Sequence, residues 1–225
     1  MIKTKLIIFD LDGTLLNTIG VITKALNKAL VDFGFETYEE EDVKSKVGYG
    51  PRRLIEDSVP NIDAELREKI YKNNRKYSDE LTYDSEMFEN IDKLLDGLEA
   101  KGIKIAINTN KSHHRAVIIS EKIFSKWKFC DVIGYTEGDV GKPDPENALK
   151  IMKNAGVTRE ETIYVGDMIV DYETAKNAGM RIALCDWGFE KRDELKKLEC
   201  DIYLLNCKIY LPKKDLGRNK KRPMI

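Results

Sequence analysis

Histidine and cysteine are scarce, with two histidines and four cysteines in 225 residues. The cysteines, Cys130, Cys185, Cys200 and Cys207, show no CxxC spacing, which speaks against a zinc site or a dithiol redox centre. They read as reduced thiols of a cytoplasmic protein. Long apolar runs are missing too: no stretch of eighteen apolar residues occurs, so no membrane span is expected. The opening MIKTKLIIFDLDG passes from a short basic start into an apolar run ending in acids, the pattern of a buried strand and not of a signal peptide. There is little imbalance of charge, 38 basic residues against 39 acidic ones. Neither nucleic acid nor a membrane surface is favoured as a partner by such a balance. Internal repeats and low-complexity tracts are also lacking, so the ligand must be inferred from local patterns.

Short β-rich apolar runs recur at Leu6 to Phe9, Ile103 to Ile107, Val132-Ile133, Ile163 to Val165, Ile182 to Leu184 and Ile202 to Leu205. Between them lie helical spacings, such as Met87, Ile91, Leu94, Leu95, Leu98 and Ala148, Leu149, Met152, Ala155. Gly102, Gly156 and Gly179 follow three of these stretches, where a left-handed cap ends a helix. This alternation predicts an α/β fold: a three-layer, Rossmann-like core with a parallel sheet covered on both faces. One segment breaks it. From Thr18 to Leu81 no strand pattern is found, while Ile22, Leu26, Ala29, Leu30, Phe33 and then Leu66, Ile70, Tyr77, Leu81 keep helical spacing. We expect an all-helical cap at residues 17–82, inserted into a core formed by 1–16 and 83–225. Leaving after the first strand, it belongs above the carboxyl edge where open α/β sheets bind ligands.

The first strand ends in Asp10-Leu11-Asp12-Gly13-Thr14, and a later one in Gly166-Asp167-Met168-Ile169-Val170-Asp171. In a continuing strand alternate residues share a face, so each pair can look into one site. Were all four acids to meet, each like-charged pair at about 4 Å would cost on the order of 4 kcal/mol at moderate screening. Such a cluster needs a cation. Oxygen ligands without histidine or cysteine select a hard ion, and a site that also holds phosphate favours Mg²⁺ over Ca²⁺. Thr109-Asn110-Lys111, after the second strand, offers a hydroxyl and N–H donors. Gly141-Lys142-Pro143-Asp144-Pro145 places a fixed cation before a helix start.

In these segments, DLDGTLLNT, INTNK, GKPDP and YVGDMIVD, the chain resembles the haloacid dehalogenase-like hydrolase superfamily. Within it, GYGPRRLIEDSV and GKPDPENALKIMKNAGV are similar to phosphoglycolate phosphatases and their near relatives. The resemblance implies Asp10 as nucleophile, forming an aspartyl-phosphate, and Asp12 as acid and then base. It implies Mg²⁺ held by Asp10, the Asp12 backbone carbonyl and Asp167, with Asp171 in or beside that set. Thr109 and Lys142 would hold the phosphoryl oxygens, with Asn110 beside them. Asn17 and Met168 depart from the commoner aspartate and serine of the family, without touching this chemistry. The implied activity is phosphatase action on a small phosphorylated metabolite, by a monomer or homodimer.

Three alternatives stay open at this level. A pyrophosphatase or nucleotidase would differ only in the cap. A sugar-phosphate mutase would use Arg52 and Arg53 for a second phosphate, although the histidine such mutases show after the first motif is lacking. A non-catalytic binding protein on the same fold predicts loss of a motif acid, and none is lost; dehalogenation is disfavoured because Asp12 is present. Tyr49 and Gly50, in the Gly48-Tyr49-Gly50 turn, and Arg52 are the cap residues expected at the substrate. His113 and His114 read as helix-start surface residues, and Trp127 and Trp187 as core-edge packing. Residues 213–225 carry six basic residues against Asp215, which reads as a solvated tail.

Overall fold

A computed structural model describes residues 3–205 and the backbone of 208–210; Cys207 and the basic segment 213–225 lie outside the described residues. In chain order the elements are β1 (Leu6–Phe9), β2 (Leu16–Asn17), α1 (Ile19–Val31), α2 (Glu40–Lys44), α3 (Pro51–Ser58), α4 (Ala64–Glu80) and β3 (Glu86–Met87). There follow α5 (Ile91–Ala100), β4 (Lys104–Ser112), α6 (His113–Lys122), β5 (Phe129–Tyr135), α7 (Glu146–Ala155) and β6 (Thr162–Gly166). The last are α8 (Ile169–Ala178), β7 (Arg181–Cys185), α9 (Arg192–Leu195), β8 (Ile202–Leu205) and β9 (Lys208–Tyr210).

The main sheet runs β5-β4-β1-β6-β7-β8-β9, parallel except for β9 at its edge. Every residue of β1 is buried, as a central parallel strand requires. Its side chains alternate: Ile7 and Phe9 pack with Leu95 of α5 and Ile119 of α6, whereas Leu6 and Ile8 pack with Ile151 of α7 and Ala175 of α8. That alternation makes three layers, the predicted α/β core. Gly156 and Gly179 end α7 and α8 in the left-handed conformation, at φ 67° and 66°.

The helices α1 to α4 share a separate apolar cluster built on Leu26, Leu30, Ile55 and Ile70. Met168, Val170 and Phe189, from the sheet side, join that cluster and fix the helices over the strand ends. The Asp63 carboxylate opens α4 by accepting the Leu66 N–H at 2.9 Å. Two elements were not foreseen. The antiparallel ribbon of β2 and β3 lies where the chain enters and leaves the helical segment, and two residues per strand are too few for a periodic signal. β9 returns antiparallel beside β8, although the predicted sheet was wholly parallel.

Core and surface positions should respond differently to truncation. Ile8→Ala removes a fully buried side chain from the central strand and should cost about 2–5 kcal/mol, while Val31→Ala, 60% exposed, should stay within about 0.5 kcal/mol. Denaturant midpoints measure both, and equal shifts would contradict the layer assignment.

Candidate active site

Two strand ends, the start of α8 and the loop before α7 deliver the charged groups. Asp10 follows β1, its N–H bonded to the Val165 carbonyl of β6 at 2.9 Å, and Asp167 follows β6. Asp171 stands one turn into α8, where one carboxylate oxygen, Oδ2, accepts the N–H groups of Asp167 and Met168 at 3.2 and 3.1 Å. It thereby caps the helix that carries it. Asp10, Asp167 and Asp171 are all buried, and each offers an oxygen within 4.8 Å of the others. Lys142 enters from the loop before α7, with its Nζ 2.7 Å from Asp10 Oδ1 and 2.6 Å from Asp171 Oδ1.

One ammonium does not balance three carboxylates. Burial, opposed by Lys142 but assisted by the charge of Asp171, pushes the Asp10 carboxyl up to about 7. Burial together with Asp171 and Asp10 drives Asp167 well above the usual carboxylate range, although Thr14 and the Phe189 N–H bond to it at 2.7 and 2.8 Å. Burial disfavours the Lys142 charge, but Asp10 and Asp171 outweigh it and hold the ammonium firmly protonated. Asp10 Oδ1 is buried and lies against the Lys142 ammonium, which it shares with Asp171. Three buried carboxylates around a single ammonium keep an excess of negative oxygen that fits a hard cation.

The backbone is shaped to let Asp167 in. A Cβ on Gly13, whose φ is +88°, would stand 2.3 Å from Asp167 Oδ2, and one on Gly188 would stand 2.2 Å from Asp167 Cβ. Neither position has room for a side chain. Asn110 ties the loops together. Its Oδ1 accepts the Lys142 N–H at 2.7 Å, while its Nδ2 donates to the Lys142 and Gly48 carbonyls at 3.1 and 2.9 Å.

The expected site residues separate into groups. Asp10, Asp12, Thr109, Asn110, Lys142 and Gly50 all line one cleft between the sheet edge and the helical segment. Of the four acids expected together, the Asp12 carboxylate stands apart from the trio and pairs with Lys111 Nζ at 2.7 Å. Burial opposes ionisation of Asp12, but the Lys111 ammonium outweighs it and lowers the carboxyl below its ordinary value. Asn110 lines the cleft and has both ends of its side-chain amide engaged by the protein, so its side chain positions Lys142. Tyr49 is half exposed and does not line the cleft. Arg52 does not line it either. Its guanidinium bonds Glu68 at 2.8 Å, contacts Glu137 and lies 4.1 Å over the Tyr71 ring; these partners hold it away from the role predicted from its charge. His113 and His114 are exposed at the start of α6, and the Trp187 indole donates to the Thr14 carbonyl at 3.0 Å. The cleft also holds residues that were not singled out: Lys111, Arg115, Asn74 and Ser78. Nothing in the sequence marks Arg115, Asn74 and Ser78, because their burial is a property of the assembled cleft.

An α/β protein with a buried, acid-lined site at the carboxyl edge of its sheet, covered by inserted helices, is the class these observations define. Comparison with known proteins names the family. The profile described as haloacid dehalogenase-like hydrolase matches residues 7–185. A phosphoglycolate phosphatase from Aquifex aeolicus is 31% identical over 187 residues, spanning 83% of this chain and 87% of that protein. The pyrophosphatase PpaX of Halalkalibacterium halodurans is 30% identical over 203 residues, spanning 88% and 91%. A solved haloacid dehalogenase-like family hydrolase from Streptococcus pneumoniae shares the fold with a TM-score of 0.81 at 19% identity, over 91% of this chain and 95% of that one. The chain belongs to the haloacid dehalogenase-like hydrolases. Among the described residues, no helix is long and apolar enough to cross a membrane.

The raised carboxyl of Asp10 has a thermodynamic consequence. Between its unfolded value near 3.8 and its folded value of about 7, the folded protein binds the proton that the unfolded chain releases, so stability falls as pH rises through that window. Metal-free protein should therefore melt at lower temperature at pH 8 than at pH 5, and Asp10→Asn should flatten the slope. A cation bound to the trio competes with those protons, so Mg²⁺ should raise Tm more at pH 8. Equal Mg²⁺ shifts at both pH values would remove the trio as the binding site.

Proposed function

We propose that this chain is a magnesium-dependent, cytoplasmic phosphatase that hydrolyses a small phosphomonoester of the phosphoglycolate type through a phosphoryl group carried on Asp10. One observation supports the reading most: the buried trio of Asp10, Asp167 and Asp171, crossed by the single ammonium of Lys142, which leaves carboxylate charge in excess. Mg²⁺ would be held by Asp10 and Asp167, with the Asp12 carbonyl and Asp171 beside them. When bound, it supplies positive charge to the transferring phosphoryl oxygens.

The chain's own residues account for the remainder. Lys142, clamped between Asp10 and Asp171, orients the nucleophile and offers charge to the phosphoryl oxygens. The Asp10 carboxylate attacks phosphorus in line, and the bond to the leaving oxygen breaks as Asp12 gives that oxygen a proton. Thr109, buried beside the cleft, can donate its hydroxyl to an equatorial oxygen. Asp12 then takes a proton from water, which attacks the phosphorus of the aspartyl-phosphate and returns Asp10. Lys111 holds Asp12 ionised in the substrate-free protein; a phosphate dianion arriving alongside adds negative charge and raises its affinity for the proton that the first half needs. Residues 17–82 act in this reading as the cap that keeps bulk water from the cleft.

Hydrolysis of pyrophosphate is the second reading, supported by the 30% identity to PpaX across nearly the full length of both proteins. A phosphate-release screen across phosphoglycolate, sugar phosphates, nucleotides and pyrophosphate, with and without excess chelator, separates the two. Substitutions at the acid pair test the mechanism itself. Asp10→Asn should lose phosphoenzyme and turnover by at least about a thousandfold, because an amide cannot attack phosphorus. Asp12→Asn should still accept a phosphoryl group from an aryl phosphate, whose leaving oxygen needs little protonation, and then stall. Mass spectrometry after acid quench would find the adduct on Asp10 in the Asp12 variant only; an adduct on serine, threonine or histidine would overturn the assignment.

A further inference from the structure

On the side of the cleft away from the acidic trio, the lining turns from negative to positive. Arg115, on the first turn of α6, is only 7% exposed. Its Nε donates to Ser112 Oγ at 2.9 Å and stands 3.6 Å from Asp79 Oδ1, beyond hydrogen-bond distance. Among the described residues its terminal nitrogens, four of its five N–H donors, bond to nothing. Facing it from the cap, Asn74 and Ser78 lie four residues apart on α4, so both look to one side of that helix. They are 2% and 8% exposed, they line the same cleft, and neither side chain makes a hydrogen bond among the described residues. The contact of Arg115 with Asp79, the neighbour of Ser78, brings the two elements together.

Three polar side chains with unused hydrogen-bonding groups thus converge on one wall of the cleft, where they stay open to a ligand. Their common complement is an anionic oxygen group. We propose that Arg115, Asn74 and Ser78 form the specificity subsite of this enzyme, which takes a second oxyanion, carboxylate or phosphate, on the leaving group of the phosphoryl substrate. This rests on the phosphatase reading and extends it. Lys142 and the trio engage the transferred phosphoryl group; Arg115 and the α4 pair read the group that leaves. The forked guanidinium suits a two-oxygen partner, and the Arg52 side chain, tied to Glu68 and Glu137, plays no part.

The test compares kcat/KM on three compounds of similar size in Mg²⁺: 2-phosphoglycolate, inorganic pyrophosphate and the neutral-ended 2-hydroxyethyl phosphate. Wild type should prefer one of the first two over the neutral compound by at least about a hundredfold, and which one tells carboxylate from phosphate. Arg115→Met should lower that preference at least about thirtyfold. Asn74→Asp, nearly isosteric and placing a carboxylate opposite Arg115, should lower it as well, chiefly through KM. It keeps the idea falsifiable if the Arg115 variant does not fold. Equal losses on all three compounds in the variants, or a wild type indifferent to the distal charge, would overturn the subsite while leaving the phosphatase reading intact. Absence of turnover on all three and on aryl phosphates would overturn both.

Discussion

The organisation of this molecule depends on keeping Asp10, Asp167 and Asp171 together out of water. Left alone, three carboxylates with oxygens inside 4.8 Å repel strongly at low dielectric, and burial alone favours the neutral acids. Lys142 offsets part of this. It is held between Asp10 and Asp171 by a loop whose own position is set by the Asn110 side chain. The residual imbalance is not a defect of the fold. In the proposed reading, the excess of carboxylate over the single Lys142 ammonium is what would give the site its affinity for a cation.

Keeping the cluster compact sets demands on distant parts of the chain. Asp167 can sit where it does only because positions 13 and 188 lack a Cβ, and because the segment after β7 returns to give it the Phe189 N–H. The same return seats Trp187 on the Thr14 carbonyl and Phe189 in the apolar cluster of α1 to α4. Phe189 thus serves both layers, with its backbone on a catalytic-edge carboxylate and its ring in the helical segment. Asn110 does something similar through Gly48. The helical segment is therefore coupled to the acids by main-chain contacts, and its placement over the strand ends follows from the same residues that build the trio.

What could be read in advance follows from the range over which each signal acts. The six parallel strands announced themselves because burial on both faces writes continuous apolar runs, and α1, α4, α5 and α7 because their buried stripes recur every three to four residues. The motif acids were legible because strand ends of a parallel sheet converge, so position along the chain already implies proximity. The ribbon of β2 and β3, and the edge strand β9, carry too few residues to show a period. The misplaced residues failed for a different reason. Arg52 was assigned from its charge and its place in the cap, but Glu137, 85 residues away, and Tyr71 decide where its guanidinium lies. Asn110 sat in the right motif, and only the tertiary contacts show that its amide faces Lys142 and Gly48.

Substrate choice falls into this second category. In the proposed reading the trio and Lys142 meet the phosphoryl group that all substrates share, and their residues form recognisable strings along the chain. The distal wall of the cleft is assembled from α6 of the core and α4 of the cap, and neither Arg115 nor the Asn74 and Ser78 pair forms a motif alone. Each reads in isolation as an ordinary polar residue on an amphipathic helix. Only their joint burial, with donors left open toward one cavity, gives them meaning. In the proposed subsite, a change at Asn74 or Ser78 would alter the wall that meets the leaving group without touching the acidic trio, whereas Arg115 also helps to hold the Asp12 carboxyl low. Such a division lets the chemistry stay fixed while specificity shifts.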